Sequence, residues 1–300
     1  MNGDVSWLVT SLCDIETVFQ LRMTSKQHFD IANSVLRMRF NDLVRPFIPQ
    51  VDAFSEILLK HGAVISGSLA LYYFIPGAYW YPRDIDIYVS HSQFTAFACA
   101  LETDPTLRLV PYTQPITPSW DSDEPWDPSE SLEIADVRKY ITPTGRHMDV
   151  IQSRQETPLS PLRDFWTSLL ANFVTPNGCG SAYPRLMFAG CGYVQDSPMT
   201  PRDKAYLITY MATRFKENCG FQFLSESWGT WKHKSHWQNL EDYFCDQTGL
   251  VVHFGMRHQD SSPSLPVQPL SDGWKLIIPF PMGAYCTRLI IKLVDNPRNP

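Results

Sequence analysis

Three aspartates and one Gly-Ser pair are the residues of this chain best suited to chemistry. Asp84 and Asp86 lie in "RDIDIYVS", Asp149 in "RHMDVIQS", and Gly67-Ser68 in "AVISGSLALYYF". Side chains alternate along a strand, so Asp84, Asp86 and Tyr88 share one face while Ile85, Ile87 and Val89 share the other. Two carboxylates on one face, about 7 Å apart along the strand, repel each other. A solvated sheet face would accommodate that pair. The third acid, Asp149, stands directly before Val150 and Ile151. An acid inside an apolar strand is costly unless it is solvated, ion-paired or metal-bound.

Three such acids suit Mg²⁺ or Mn²⁺. Mg²⁺ prefers hard oxygen ligands and is commonly held by a few carboxylates together with substrate phosphates. Two such ions can clamp the attacking and leaving oxygens of an in-line phosphoryl transfer. Gly67-Ser68 fits the same chemistry. A strand that turns into a helix through Gly lets a phosphate approach the backbone, and the helix start offers N–H groups and a favourable dipole. The Ser68 hydroxyl adds a donor. Taken alone, Ser68 reads equally as a helix cap.

The elements that must position these residues follow from the pattern. Apolar residues at helical spacing predict a helix over 25–44, stopped at Arg45-Pro46, and a second over 52–60. "AVIS" is a short strand, "SLALYYF" a helix starting after Gly67, "PGAYWYPR" a turn-rich connector and "DIDIYVS" a strand. "SQFTAFACALE" is a helix with Ser92 as its N-cap. Pro, Asp, Ser and Thr dominate 103–130, which reads as a long surface loop. "IADVRKYITPTGRHMDVIQS" reads as two strands joined around "TPTG". "LRDFWTSLLANFVT" reads as a helix, and a further helix opens at Thr200-Pro201 and closes at Gly220. "LVVHFGM", "WKLIIPF" and "TRLIIKLV" read as strands.

The bulk numbers bound the function. Three hundred residues with a net charge of −6 and 44% hydrophobic content allow a packed core and argue against a general nucleic-acid coat. The N-terminus lacks the basic and apolar regions of a signal peptide, and no apolar run reaches membrane-spanning length, so a cytoplasmic or nuclear, non-secreted protein with no membrane association is expected. The seven cysteines are scattered without a CxxC pair and read as reduced thiols. His233, His236, Cys245, His253 and His258 do not follow a common zinc spacing and read as a surface cluster. No Walker, GxSxG or dinucleotide fingerprint occurs. "DIETVFQLRMTSKQHFDIANSVLRMRF" faintly resembles the end of an F-box, but its Leu/Phe spacing reads first as helical core.

Taken together, Ile65 through Ser68, Asp84-Ile85-Asp86-Ile87 and Asp149 resemble the motif set of the DNA polymerase β-type nucleotidyltransferase superfamily. More narrowly, "FSEILLKHGAVISGSLALYYF", "RDIDIYV", "HMDVIQS" and the following "FWTSLLANFVT" resemble fungal proteins of that fold, over roughly residues 35 to 225. The departures are a longer gap from Ser68 to Asp84 and the insertion between Asp86 and Asp149. The resemblance implies an α/β (mixed-sheet) nucleotidyltransferase-like core over 51–155, after an N-terminal helical segment over 1–50 and before a helical and β accessory region over 156–300. It implies that Asp84, Asp86 and Asp149 are catalytic and hold Mg²⁺ or Mn²⁺, and that Gly67 and Ser68 bind the triphosphate. Lys204 is a further phosphate-binding candidate, beside its reading as a solvated helix lysine; Arg83 reads as a surface charge. The implied reaction moves a nucleoside monophosphate from an NTP to an acceptor, a small molecule, a protein or an RNA, and releases pyrophosphate. Two other readings stay open: a nucleotide-binding pseudoenzyme, and an adaptor that uses the N-terminal helices.

Overall fold

A computed structural model describes residues 3–77, 80–112, 133–193, 212–213, 215–224 and 250–254. Four helices come first: α1 (Gly3–Leu12), α2 (Ile15–Arg22), α3 (Lys26–Val44) and α4 (Val51–Lys60). Asp14 caps α2 by accepting from the Thr17 N–H at 2.7 Å, and Ser25 caps α3 by accepting from the His28 N–H at 3.1 Å. Each cap satisfies one of the donors that a helix start leaves open. Ala32, Val35, Leu36, Phe40, Leu43 and Val44 recur at helical spacing on α3 and are buried. Helices α2, α3 and α4 are therefore part of the core, while Val5, Leu8, Val9 and Leu12 of α1 are exposed.

The chain then alternates: β1 (Val64–Ser66), α5 (Gly67–Phe74), β2 (Asp84–Val89), α6 (Phe94–Thr103), β3 (Val110–Pro111), β4 (Ile134–Ile141) and β5 (His147–Ser153). After these come β6 (Asn172–Thr175), β7 (Gly178–Ser181), α7 (Pro184–Phe188), β8 (Cys191–Tyr193), β9 (Gln222–Leu224) and β10 (Leu250–His253). Among the described residues eight strands form one sheet in the order β10-β7-β6-β1-β2-β5-β4-β3, while β8 and β9 pair separately. β2 and β5 run parallel, and the other pairs of the large sheet are antiparallel. The class is mixed α/β. β6, β7 and β10 bring residues from beyond position 155 into the same sheet as β1 and β2.

The sheet's two faces differ. Ile65, Ile85, Ile87, Val89, Met148 and Val150 are buried against the apolar sides of α3, α4, α5 and α6 in the main core. The other face carries a smaller cluster of Val64, Tyr88, Ile134, Ile151, Leu159, Leu162 and Phe173. That cluster covers only part of the face, and the acids lie where it stops. No helix among the described residues is long and apolar enough to cross a membrane.

Several expectations need correction. "LRDFWTSLLANFVT" is not a helix: it forms two short 3₁₀ turns, Ser160–Asp164 and Ser168–Leu170, and then strand β6. Thr167 is extended and caps the second turn. Val174 then pairs with Ile65 of β1, and β6 is buried along its whole length between β1 and β7. A strand buried on both faces shows no alternation, so its apolar run mimics a helix. Ser92 does not cap α6; Gln93 holds the N-cap position, and the Ser92 hydroxyl donates to Glu156 at 2.5 Å. The stretch expected as loop from 103 contains β3, which pairs with β4. Gly220 adopts a φ of +74°, and its N–H donates to the Lys216 carbonyl at 3.1 Å, a helix-closing geometry at the position expected for it. Lys204, His233, His236, Cys245, His258 and the strands expected in "WKLIIPF" and "TRLIIKLV" lie outside the described residues.

Candidate functional site

Strand register brings the acids together. Ser66 of β1 pairs with Asp86 of β2, Asp86 pairs with Asp149 of β5, and Asp149 pairs with Lys139 of β4. Register partners in neighbouring strands project to the same face, with strands about 4.8 Å apart. One transverse row of the sheet thus reads Ser66, Asp86, Asp149, Lys139. Asp84 lies two residues from Asp86 on the same face, in the next row, where its register partner is His147. Exposure falls in the same direction along both central strands: Asp84 and His147 are exposed, Asp86 and Asp149 half-buried, Tyr88 and Ile151 buried. The acid row is therefore the floor of an open end, and the small apolar cluster closes the other end.

Tyr88 reports on this geometry. It is buried, with its ring edge-on to Phe165 at 5.9 Å. Burial pushes its phenol well above the ordinary tyrosine range, and the charges of Asp86, Asp149 and Asp84 push it further. Tyr88 pairs with Ile151 two residues along from the Asp86–Asp149 pair, on the same face as the acids.

Gly67 joins the acid row through its backbone. β1 ends at Ser66 and α5 begins at Gly67, so the strand-to-helix turn falls beside Asp86. Gly67 has a φ of +68°, and a Cβ built there would lie 2.5 Å from Asp86 Oδ2. Glycine is required for the left-handed backbone, and a Cβ there would also make the Asp86 carboxylate shift. A carboxylate at a helix start is also favourably placed against the dipole. Ser66, not Ser68, holds the N-cap position, and it makes no side-chain cap; its hydroxyl donates instead to the Asn172 carbonyl at 2.5 Å. Ser68 is half-buried in the first turn of α5.

Lys139 was not singled out by the sequence reading. Its Nζ lies 3.3 Å from Asp149 Oδ2, and the two side chains are only 28% and 24% exposed. The backbone beneath it is fixed, since the Tyr112 N–H donates to the Lys139 carbonyl at 2.8 Å. Among the described residues no three His, Cys, Asp or Glu side chains are already drawn into a ligand shell. The donor chemistry nevertheless suits a hard divalent cation at Asp84 and Asp86, whose carboxylates share one open face. One oxygen of Asp149 faces the Lys139 ammonium.

Comparison of the chain with protein-family models, with curated proteins and with solved structures finds no match.

Proposed function

We propose that this protein is a metal-dependent nucleotidyltransferase, moving a nucleoside monophosphate from an NTP to an acceptor with release of pyrophosphate. The observation that carries the reading is the register pairing of Asp86 with Asp149 at the open end of the sheet, beside the start of α5 at Gly67. The nucleotidyltransferase-like core is then the part of the sheet around β1, β2 and β5 with the helices beneath it. Asp84 and Asp86 are the residues to hold Mg²⁺ or Mn²⁺, which when bound would neutralise charge on the triphosphate. The first turn of α5, with Gly67 and Ser68, offers N–H groups and a hydroxyl to the phosphates. Asp149 orients the attacking group of the acceptor and accepts its proton. Transfer of this kind needs positioning and charge neutralisation more than covalent help from the protein.

The test is incubation with each of the four labelled NTPs, Mg²⁺ or Mn²⁺, and cell extract. Labelled product should form with the wild type and be lost with Asp84→Asn and Asp86→Asn. Label that persists in both variants would remove the acids from the chemistry. The ion pair between Lys139 and Asp149 favours one second reading, a nucleotide-binding pseudoenzyme. Thermal stabilisation by NTP and metal without any labelled product would select it.

A further inference from the structure

We infer that the outward face of α1 is the docking surface for a later segment of the same chain, residues 287–294. α1 is inverted for an amphipathic helix. Its buried positions are two small polar residues, Ser6 and Thr10, which a spacing of four places on one side. The Thr10 hydroxyl donates to the Ser6 carbonyl at 2.7 Å, so it is satisfied within the helix. Val5, Leu8, Val9 and Leu12 are 49%, 55%, 51% and 80% exposed. Spacings of three and four make them one stripe, of the kind that a surface helix normally turns towards its core. Single exposed aliphatic residues are ordinary, whereas a contiguous set marks a contact surface.

Charge and position identify the occupant. Residues 1–20 carry Asp4, Asp14 and Glu16 and no basic residue. Residues 274–294 carry Lys275, Arg288 and Lys292 and no acidic residue. Their last part joins Leu289, Ile290, Ile291, Leu293 and Val294 to two of those bases, an apolar run with the charge that complements the surround of α1. The described chain also leaves off nearby. Arg37 of α3 donates to the Phe254 carbonyl, while Arg39 of α3 donates to the Ser11 carbonyl at 3.2 Å and to that of Cys13. Residues two apart on a helix project about 200° apart. Phe254 and the end of α1 therefore flank α3 on opposite sides, with the exposed Asp30 and Ser34 on the strip between them. That strip is about one helix diameter wide, roughly 10–12 Å. Residues 255–286 can cover many times that distance at up to about 3.3 Å each.

A second copy of the chain suits the stripe less well. Four aliphatic side chains fall well short of the roughly 800 Å² per partner of a stable interface between separate chains. A tethered segment needs less area, because its effective concentration is on the order of mM.

The experiment is photo-crosslinking of the full chain carrying Leu8→p-benzoylphenylalanine, in an equal mixture of ¹⁴N-labelled and ¹⁵N-labelled protein. Mass spectrometry of the digest reads which peptide is joined to α1 and whether both isotopes occur in the product. A cross-link from position 8 to residues 287–294 with a single isotope is expected. Leu289→Asp combined with Leu293→Asp should lower its yield at least about tenfold, since an unpaired carboxylate is costly to bury against apolar side chains. Mixed-isotope products would assign the stripe to a second copy and overturn the inference. So would a cross-link to any other segment, no cross-link at all, or an unchanged yield in the aspartate variant. Position 8 is exposed, so the first measurement decides even if the aspartate variant does not fold.

Discussion

Asp86 Oδ2 lies 2.5 Å from the position that a Cβ on Gly67 would occupy. The turn into α5 and the acid strand β2 thereby approach closely at the candidate site, beside the pairing of Ser66 with Asp86. Gly67→Ala should be destabilising for two separable reasons, of which the backbone is the larger. The left-handed backbone at φ +68° costs an L-residue about 1–2 kcal/mol. The close approach of the carboxylate adds to that. In an Asp86→Ala background the second contribution vanishes, so Gly67→Ala should there cost only about 1–2 kcal/mol. Urea denaturation of the four proteins of the cycle measures the difference. Equal costs in both backgrounds would mean that the carboxylate does not press on Gly67.

Asp86→Asn should leave the fold intact and remove metal-dependent nucleotide binding. The amide keeps the shape of the carboxylate. Asp86 is the register partner of Asp149, so losing its charge relieves a like-charge repulsion in the metal-free protein. The melting temperature without metal should hold or rise slightly, and the rise given by Mg²⁺ plus NTP to the wild type should disappear. A variant melting far below the wild type in the absence of metal would make Asp86 a structural residue, since a lost charge-assisted hydrogen bond costs about 1.5–3 kcal/mol.

Much of this site could be read in the sequence because strand periodicity is local. The alternation of "DIDIYV" puts Asp84 and Asp86 on one face, and the apolar run before Gly67 marks the end of β1. Lys139 was also within reach. Thr142 and Arg146 close the β4–β5 turn, the Thr142 N–H donating to the Arg146 carbonyl at 2.8 Å. Pairing the hairpin outward from that closure meets Lys139 and Asp149 opposite each other. A lone lysine in a strand simply looks like a solvated edge until its partner is counted. β6 was different. Its edges pair with β1 and β7 and its faces are buried in the two clusters, so no local pattern separates it from a helix. The approach of Asp86 to Gly67 is a tertiary contact, and no spacing within either segment encodes it.

Arg22 ties the far edge of the sheet to the N-terminal helices. Its Nε donates to Asn33 Oδ1 at 2.8 Å, its Nη2 donates to the His253 carbonyl at 2.6 Å, and its guanidinium lies 4.3 Å from the centre of the Phe29 ring. Arg37 donates to the next carbonyl, that of Phe254. β10 is therefore held from the helix side as well as by β7. Arg22→Met should cost about 1.5–3 kcal/mol, because it leaves a part-buried carbonyl and a buried amide oxygen without their charged donor. Hydrogen exchange should quicken first at 250–254, with β2 and β5 still protected. Uniform loss of protection across the sheet would show that the arginine supports the whole fold rather than this edge.

Asp14 gives a prediction with a definite pH dependence. Its carboxylate accepts from the Thr17 N–H at 2.7 Å at the start of α2, and that bond is the leading reason its pKa lies below the ordinary aspartate value. A carboxylate whose folded pKa is depressed contributes stability above its unfolded pKa and loses it as the pH falls through the folded pKa. Near pH 7 the cap is complete, and Asp14→Ala should lower stability by about 1 kcal/mol, the usual cost of removing such a cap. The gap between wild type and variant should narrow below about pH 4, as the acid takes up a proton and its acceptor strength falls. Asp14→Ser, which restores a neutral acceptor, should recover most of the loss at neutral pH and show no narrowing in acid. Denaturant midpoints at pH 7 and pH 3 for the three proteins supply the comparison; an alanine penalty of equal size at both pH values would show that the carboxylate's charge plays no part in holding α2.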